Sequence, residues 1–154
     1  MISALEEGRS PILLTERRDH LEFFVQRLRG VARHLVVLHG GLSARARKEA
    51  LASLAAIPDG EERLVVATGR YVGEGFDDPR FDTLVLALPV AWRGTVVQYA
   101  GRLHRKHAGK TEVRIHDYRD GNVPVLARMP EKRIRAYRAI GYEIEDPATR
   151  SAPA

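Results

Sequence analysis

At 154 residues, with 44% apolar and 29% charged side chains, the chain has the size of one ordinary domain and can bury about two-thirds of its unfolded surface without crosslinks. No apolar run approaches the ~20 residues that span a bilayer, and Glu6 and Glu7 stand where a secretory leader needs positive charge. Zero cysteines exclude disulfides and thiolate metal sites, so a cytoplasmic protein with no membrane role is expected.

The net charge of +5 suits a polyanionic partner, because Lys and Arg meeting phosphates release condensed counterions. Yet 21 of the 25 basic residues are arginine, so compositional bias explains the charge as well as nucleic-acid binding does.

In chain order, Pro11 to Thr15 is a short apolar run of buried-strand type. Glu16 to Arg29 follows with Leu21, Phe24, Val25 and Leu28 on one helical face, closed by Gly30. A second strand, Leu35 to His39, ends in Gly40-Gly41, and Ser43 caps a helix from Ala44 to about Ala56 before the Pro58-Asp59-Gly60 turn. The third strand, Leu64 to Thr68, leads into Gly69 to Pro79, too rich in Gly and Asp for a long helix.

A fourth strand, Thr83 to Leu88, stops at Pro89, and Thr95 is placed to cap a helix running through Gln98 and Arg102 to about Arg105. Glu112 to Tyr118 reads as the fifth strand. Asn122 opens a helical region to Ile140, broken or kinked before Pro130 and closed by Gly141. The basic run Arg128, Lys132, Arg133, Arg135 and Arg138 reads as the wet face of that last helix. Residues 1–145 are expected to form one domain, with 146–154 a flexible tail.

Continuous apolar strands alternating with helices predict an α/β protein of three layers, a parallel sheet with helices on both faces. In such sheets ligands bind beyond the carboxyl ends of the strands, where strand order reverses. The rule selects the loops holding Thr15, His39 to Leu42, Thr68 to Asp78 and Pro89 to Thr95.

One segment carries a chemical pattern: Gln98-Tyr99-Ala100-Gly101-Arg102-Leu103-His104-Arg105. On a helix, Gln98, Gly101, Arg102 and Arg105 share one face, with two guanidiniums about a turn apart. Such a pair suits dispersed phosphate charge, and Gly101 permits close approach of another surface. The same spacing also describes an exposed basic helix with ordinary polar neighbours.

This segment resembles motif VI of the superfamily 2 helicases, Q-x-x-G-R-x-x-R. Ala67-Thr68 with Glu74-Gly75-Phe76-Asp77 resembles motif V in its restriction and DNA-repair form. His39-Gly40-Gly41-Leu42-Ser43, followed by Arg47 and Leu51, resembles the block between motifs IV and V, and Pro11 to Thr15 resembles motif IV. The matches keep the family's order and spacing from about residue 10 to 120.

The resemblance implies the second, C-terminal RecA-like lobe of a helicase or translocase. Arg102 and Arg105 would be arginine fingers reaching ATP on a partner lobe, with Gln98 positioning the phosphate or the attacking water. Gly75, Asp77 and Gly101 would stand at the nucleotide, Asp77 near its ribose. Thr68 would hold a backbone phosphate of the nucleic acid, with His39, Gly40 and Gly41 beside the same strand; Arg70 joins them on charge alone. For His39 and Thr68, local hydrogen bonding at a strand end is an equally available role. DNA is expected over RNA.

The chain departs from the family at Gly69, where many members carry Asp after the motif V threonine. Gly109-Lys110-Thr111 only imitates a P-loop: His104 stands where its first glycine belongs, and the segment leads into a strand instead of out of one. With no P-loop and no acidic magnesium pair, the chain is expected to be part of a larger protein. ATP and Mg would be bound mainly by an N-terminal P-loop lobe, and this lobe alone would lack ATPase activity. The alternative is a stand-alone, non-catalytic nucleic-acid-binding or regulatory module on the same fold; a Rossmann-type enzyme is disfavoured because Thr15-Glu16-Arg17-Arg18 replaces its glycine-rich turn.

Overall fold

The computed structural model describes residues 1–69, 77–87, 93–118 and 129–145. The elements are α1 (Ile2–Glu6), β1 (Pro11–Thr15), α2 (Arg18–Leu28), β2 (His34–Leu38), α3 (Ala44–Ala56), β3 (Arg63–Thr68), β4 (Thr83–Leu86), α4 (Arg93–Leu103), β5 (Arg114–Asp117) and α5 (Met129–Ala139). Two compact units are formed, one from residues 1–88 and 99–118 and the other from residues 89–98 and 119–154.

The first unit is built on a five-stranded sheet of order β2-β3-β1-β4-β5, parallel throughout. Register explains why its strands read as unbroken apolar runs. Leu13 lies level with Val66 and Val85. That row, with Leu64, packs against Leu21, Phe24, Val25 and Leu28 of α2. The alternate row, with Ile12 level with Val65 and Leu84, turns to the other face, where Tyr99 and Leu103 of α4 meet it. Both faces are therefore covered, as the three-layer reading requires. Each fully buried Leu or Val contributes about 1.5–3 kcal/mol relative to exposure, so these two rows are the main source of stability.

Local signals set most boundaries to within two residues. The Ser43 hydroxyl accepts the Ala46 N–H at 3.2 Å, as a cap before Ala44 should. Gly30 and Gly141 close α2 and α5 at φ of 81° and 88°, a region costly for other residues.

Several expectations are corrected. Thr95 does not cap α4, which already begins at Arg93, and α4 ends at Leu103, leaving Arg105 in the following turn. Pro130 stands at the second position of α5, in the first turn where proline costs no hydrogen bond, and a helix beginning at Met129 agrees with the break expected before Pro130. Arg133 is buried and not on a wet face, because it shares a helical face with buried Ala136 and Tyr137, while Arg135 and Arg138 are exposed. Arg128, the segment opening at Asn122 and the tail 146–154 lie outside the described residues, as does the side chain of Lys132.

In the second unit, Tyr137 and Tyr142 rings lie 6.1 Å apart across the Gly141 turn. Burial pushes the Tyr142 phenol up to about 12.

Candidate nucleotide and nucleic-acid interface

Helix α4 runs antiparallel to the strands it joins, and this sets the height of each candidate residue. Its Tyr99 lies against Gly69 at the carboxyl end of β3. Four residues later, Leu103 and the neighbouring Arg102 line a small pocket with Ile12, Leu84, Asp78 and Phe81, the last two just before β4. At 1.5 Å of rise per residue, Tyr99 and Leu103 are separated by roughly 6 Å along the axis, and Arg105 lies in the turn beyond. The two arginines therefore lie away from the carboxyl rim whose loops the strand-end rule selects. They flank the sheet toward its amino edge, because a helix returning from that rim carries its last residues downward.

There Arg105 finds Asp77. Its Nη2 lies 3.1 Å from Asp77 Oδ2, with the side chains 59% and 45% exposed. A pair this wet contributes about 0–1 kcal/mol, so an incoming anion can displace the carboxylate at little cost. Arg102 is half-buried in the pocket wall. Gly101 is exposed, and a Cβ there would meet nothing within 4 Å, so the space beside it is open to an approaching surface. Gln98, in the second unit, is exposed. Arg70 and Gly75 lie outside the described residues.

The turn carrying Asp77 is anchored by a residue that sequence reading missed. Arg80 donates to Asp78 through Nε and Nη2 at 2.9 and 2.6 Å, and to the Ile57 and Leu54 carbonyls at 2.7 and 2.9 Å. It thus satisfies carbonyls at the end of α3 and ties the turn to that helix. Burial would raise the Asp78 carboxyl, but hydrogen bonds from Arg80 outweigh it and hold the group below its ordinary value. The only sequence signal for this anchor is Arg two residues after Asp78, with proline between.

The carboxyl rim gathers the other candidates. Thr68 is level with Thr15, whose hydroxyl is buried without a partner. Glu16 is close enough to Tyr99 to act on its phenol, which burial first and Glu16 second push upward. At the end of β2 the His39 Nδ1 accepts the Gly41 N–H at 3.1 Å, the local strand-end role. Burial, then Arg18, holds the His39 ring below its ordinary value, so it stays neutral near pH 7. A Cβ on Gly41 would come 3.2 Å from both Arg18 Nη1 and His39 Nδ1, and one on Gly40 would meet nothing within 4 Å. Arg18, another residue sequence reading passed over, thus stands with His39 and Gly41 at this corner.

Residues 1–107 match the family described as helicase conserved C-terminal domain. The chain belongs to that family. This places it among the superfamily 2 helicase C-terminal lobes, with their RecA-like fold. Protein 108L of Invertebrate iridescent virus 3, uncharacterised, is 34% identical over 86 residues, 56% of this chain and 78% of that one. Among solved structures, the C-terminal part of the Fun30 ATPase domain is similar over 97% of this chain and 45% of that one, at 12% identity and a TM-score of 0.64. The ATP-dependent Type ISP restriction-modification enzyme LlaBIII bound to DNA is similar over 90% of this chain, at 22% identity and a TM-score of 0.65. The chain spans 11% of LlaBIII and less than half of the Fun30 chain.

For a helicase lobe, the departure at Gly69 has a steric cause. A Cβ on Gly69 would collide with the Tyr99 hydroxyl, and the ring carbon bearing it would lie 3.2 Å away. Tyr99 is buried, which leaves its ring little room to swing clear. Gly69→Ala should destabilise the lobe by about 1–3 kcal/mol, the usual cost of overpacking. Tyr99→Phe should recover part of the loss in the double variant, as read by urea unfolding; a neutral Gly69→Ala would show that the two do not touch.

Proposed function

We propose that this chain is the C-terminal motor lobe of an ATP-dependent nucleic-acid helicase or translocase. The working unit is residues 1–145, with 146–154 a tail, joined in a larger cytoplasmic protein to an N-terminal RecA-like P-loop lobe. The observation that carries this reading is the Arg105–Asp77 pair, which brings the end of the motif VI segment onto the end of the motif V segment on one exposed flank. A half-exposed guanidinium held by so weak a pair fits the task of meeting a phosphate from outside.

In this mechanism ATP lies between the lobes, its phosphates and Mg held mainly by the P-loop lobe. Arg102 and Arg105 approach the terminal phosphoryl group and offset the charge that builds there during transfer. Gln98 orients the phosphate or the attacking water, the backbone at Gly75 and Gly101 lets the nucleotide approach, and Asp77, once released by Arg105, lies by the ribose. At the carboxyl rim, Thr68, His39, Gly40 and Gly41 hold one strand by its backbone, which positions the strand without reading sequence, and Arg70 joins this grip on its charge alone. DNA is the favoured track, supported by the restriction and repair form of Glu74 to Asp77 and by the DNA-bound LlaBIII neighbour. Closing and reopening of the cleft would step this grip along the strand.

In the full-length protein, Arg102→Ala or Arg105→Ala should lower nucleic-acid-stimulated ATP turnover ~10³-fold, with a smaller change in KM for ATP. The 154-residue chain alone should hydrolyse none. Wild-type turnover in both variants, or steady hydrolysis by the lone lobe, would end the proposal.

Thr68→Ala should instead leave basal turnover intact and weaken its stimulation by DNA. Unchanged stimulation would remove Thr68 from the grip.

A further inference from the structure

Lys110 belongs to the segment that only imitates a P-loop, and nothing in the proposed motor role uses it. Its ammonium nevertheless makes three hydrogen bonds, to the carbonyls of Pro79 at 2.7 Å, Leu103 at 2.6 Å and Arg105 at 3.0 Å. An ammonium has three protons, so its donors are all used. Two of these carbonyls lie at the end of α4, where the helix leaves acceptors without an internal partner and where the helix dipole favours a cation. The third belongs to the turn that carries Asp77. One charge thus fastens the Arg105 backbone to the turn bearing the carboxylate on which Arg105 rests.

Other features of the surface do not offer this combination. The exposed ring of Phe23 is covered by the Arg27 guanidinium at 5.2 Å from its centre. The Arg9, Glu112 and Arg114 network joins charges to one another at the amino edge of the sheet. Among the described residues, it is Lys110 that links the end of α4 to the turn carrying Asp77.

We propose that Lys110 is a positioning residue for Arg105: by gathering the Leu103, Arg105 and Pro79 carbonyls it ends α4 at Leu103 and holds the arginine beside the Asp77 turn. A lysine suits this place better than an arginine, because three carbonyls converge on a point and a planar guanidinium presents its donors in a fork. Lys110 is half-buried, and that burial lowers its ammonium from the ordinary value. The role rests on the motor function proposed above.

Two measurements test it. In the lobe itself, ¹⁵N NMR should show the Lys110 ammonium protons in slow exchange with water, and a freely exchanging ammonium would overturn the cage. In the full-length protein, Lys110→Met should lower kcat for ATP on the order of 10- to 100-fold, as small displacements of a reacting group do, with KM little changed. It should cost nothing further in an Arg105→Ala background, because the two act as one. Should Lys110→Met fail to fold, Lys110→Gln, which keeps two N–H donors but no charge, takes its place in the same cycle. Equal losses with and without Arg105 would assign Lys110 to general stability and overturn the proposal. Wild-type kcat in the Lys110 variant beside an impaired Arg105→Ala would overturn it while leaving the motor function standing, whereas full activity in Arg105→Ala would remove both.

Discussion

The direction of α4 is the constraint on which the arrangement depends. A parallel sheet sends every strand toward the same rim, so any helix between strands must return the opposite way. In α4 that return places Tyr99 on Gly69 at the carboxyl end of β3 and brings Arg105 to Asp77 near the start of β4. Gly69 and Asp77 bracket a single connection of the chain, and one helix touches both ends of it. Two candidate surfaces follow, a rim suited to a nucleic-acid backbone and a flank suited to a nucleotide phosphate.

The forces holding these surfaces differ in strength, and the difference matches their tasks. The Tyr99 contact is buried and closely packed, and the Arg80 and Lys110 anchors use short bonds to carbonyls in part-buried surroundings. The Arg105–Asp77 pair is wet and weak. A rigid frame around an exchangeable pair is what a group needs if it must be aimed in advance and released to an incoming anion. Also at the amino edge of the sheet, Arg9, Thr83, Glu112 and Arg114 bond among themselves, as a stabilising network does.

Much of the fold was legible because it follows from short-range rules. Four apolar runs and the mixed segment Glu112 to Tyr118 became the five strands, Ser43 capped α3, and Gly30 and Gly141 closed their helices. The five-residue helix α1 was not read, since its apolar content is two buried residues, Ala4 and Leu5, with too little length for periodicity. Buried Arg63 was missed as well: its guanidinium reaches the Pro58 carbonyl at 2.6 Å, a contact that composition cannot foresee. The site was legible as residue types and not as heights. Spacing placed Arg102 and Arg105 on one helical face, but α4 ends between them because Lys110 claims its last carbonyls. Arg80 and Lys110 act through backbone oxygens distant in sequence, and no motif records such partners.

In the proposed motor, Arg105 leaves Asp77 for the terminal phosphate of ATP. A structure of the full-length protein with a non-hydrolysable ATP analogue and a DNA strand bound would show this exchange. The Arg105 guanidinium should then lie within hydrogen-bonding distance, about 3 Å, of a terminal phosphate oxygen, with Asp77 released. An Arg105 still paired to Asp77 in the closed, nucleotide-bound state, or directed away from the phosphate, would contradict it.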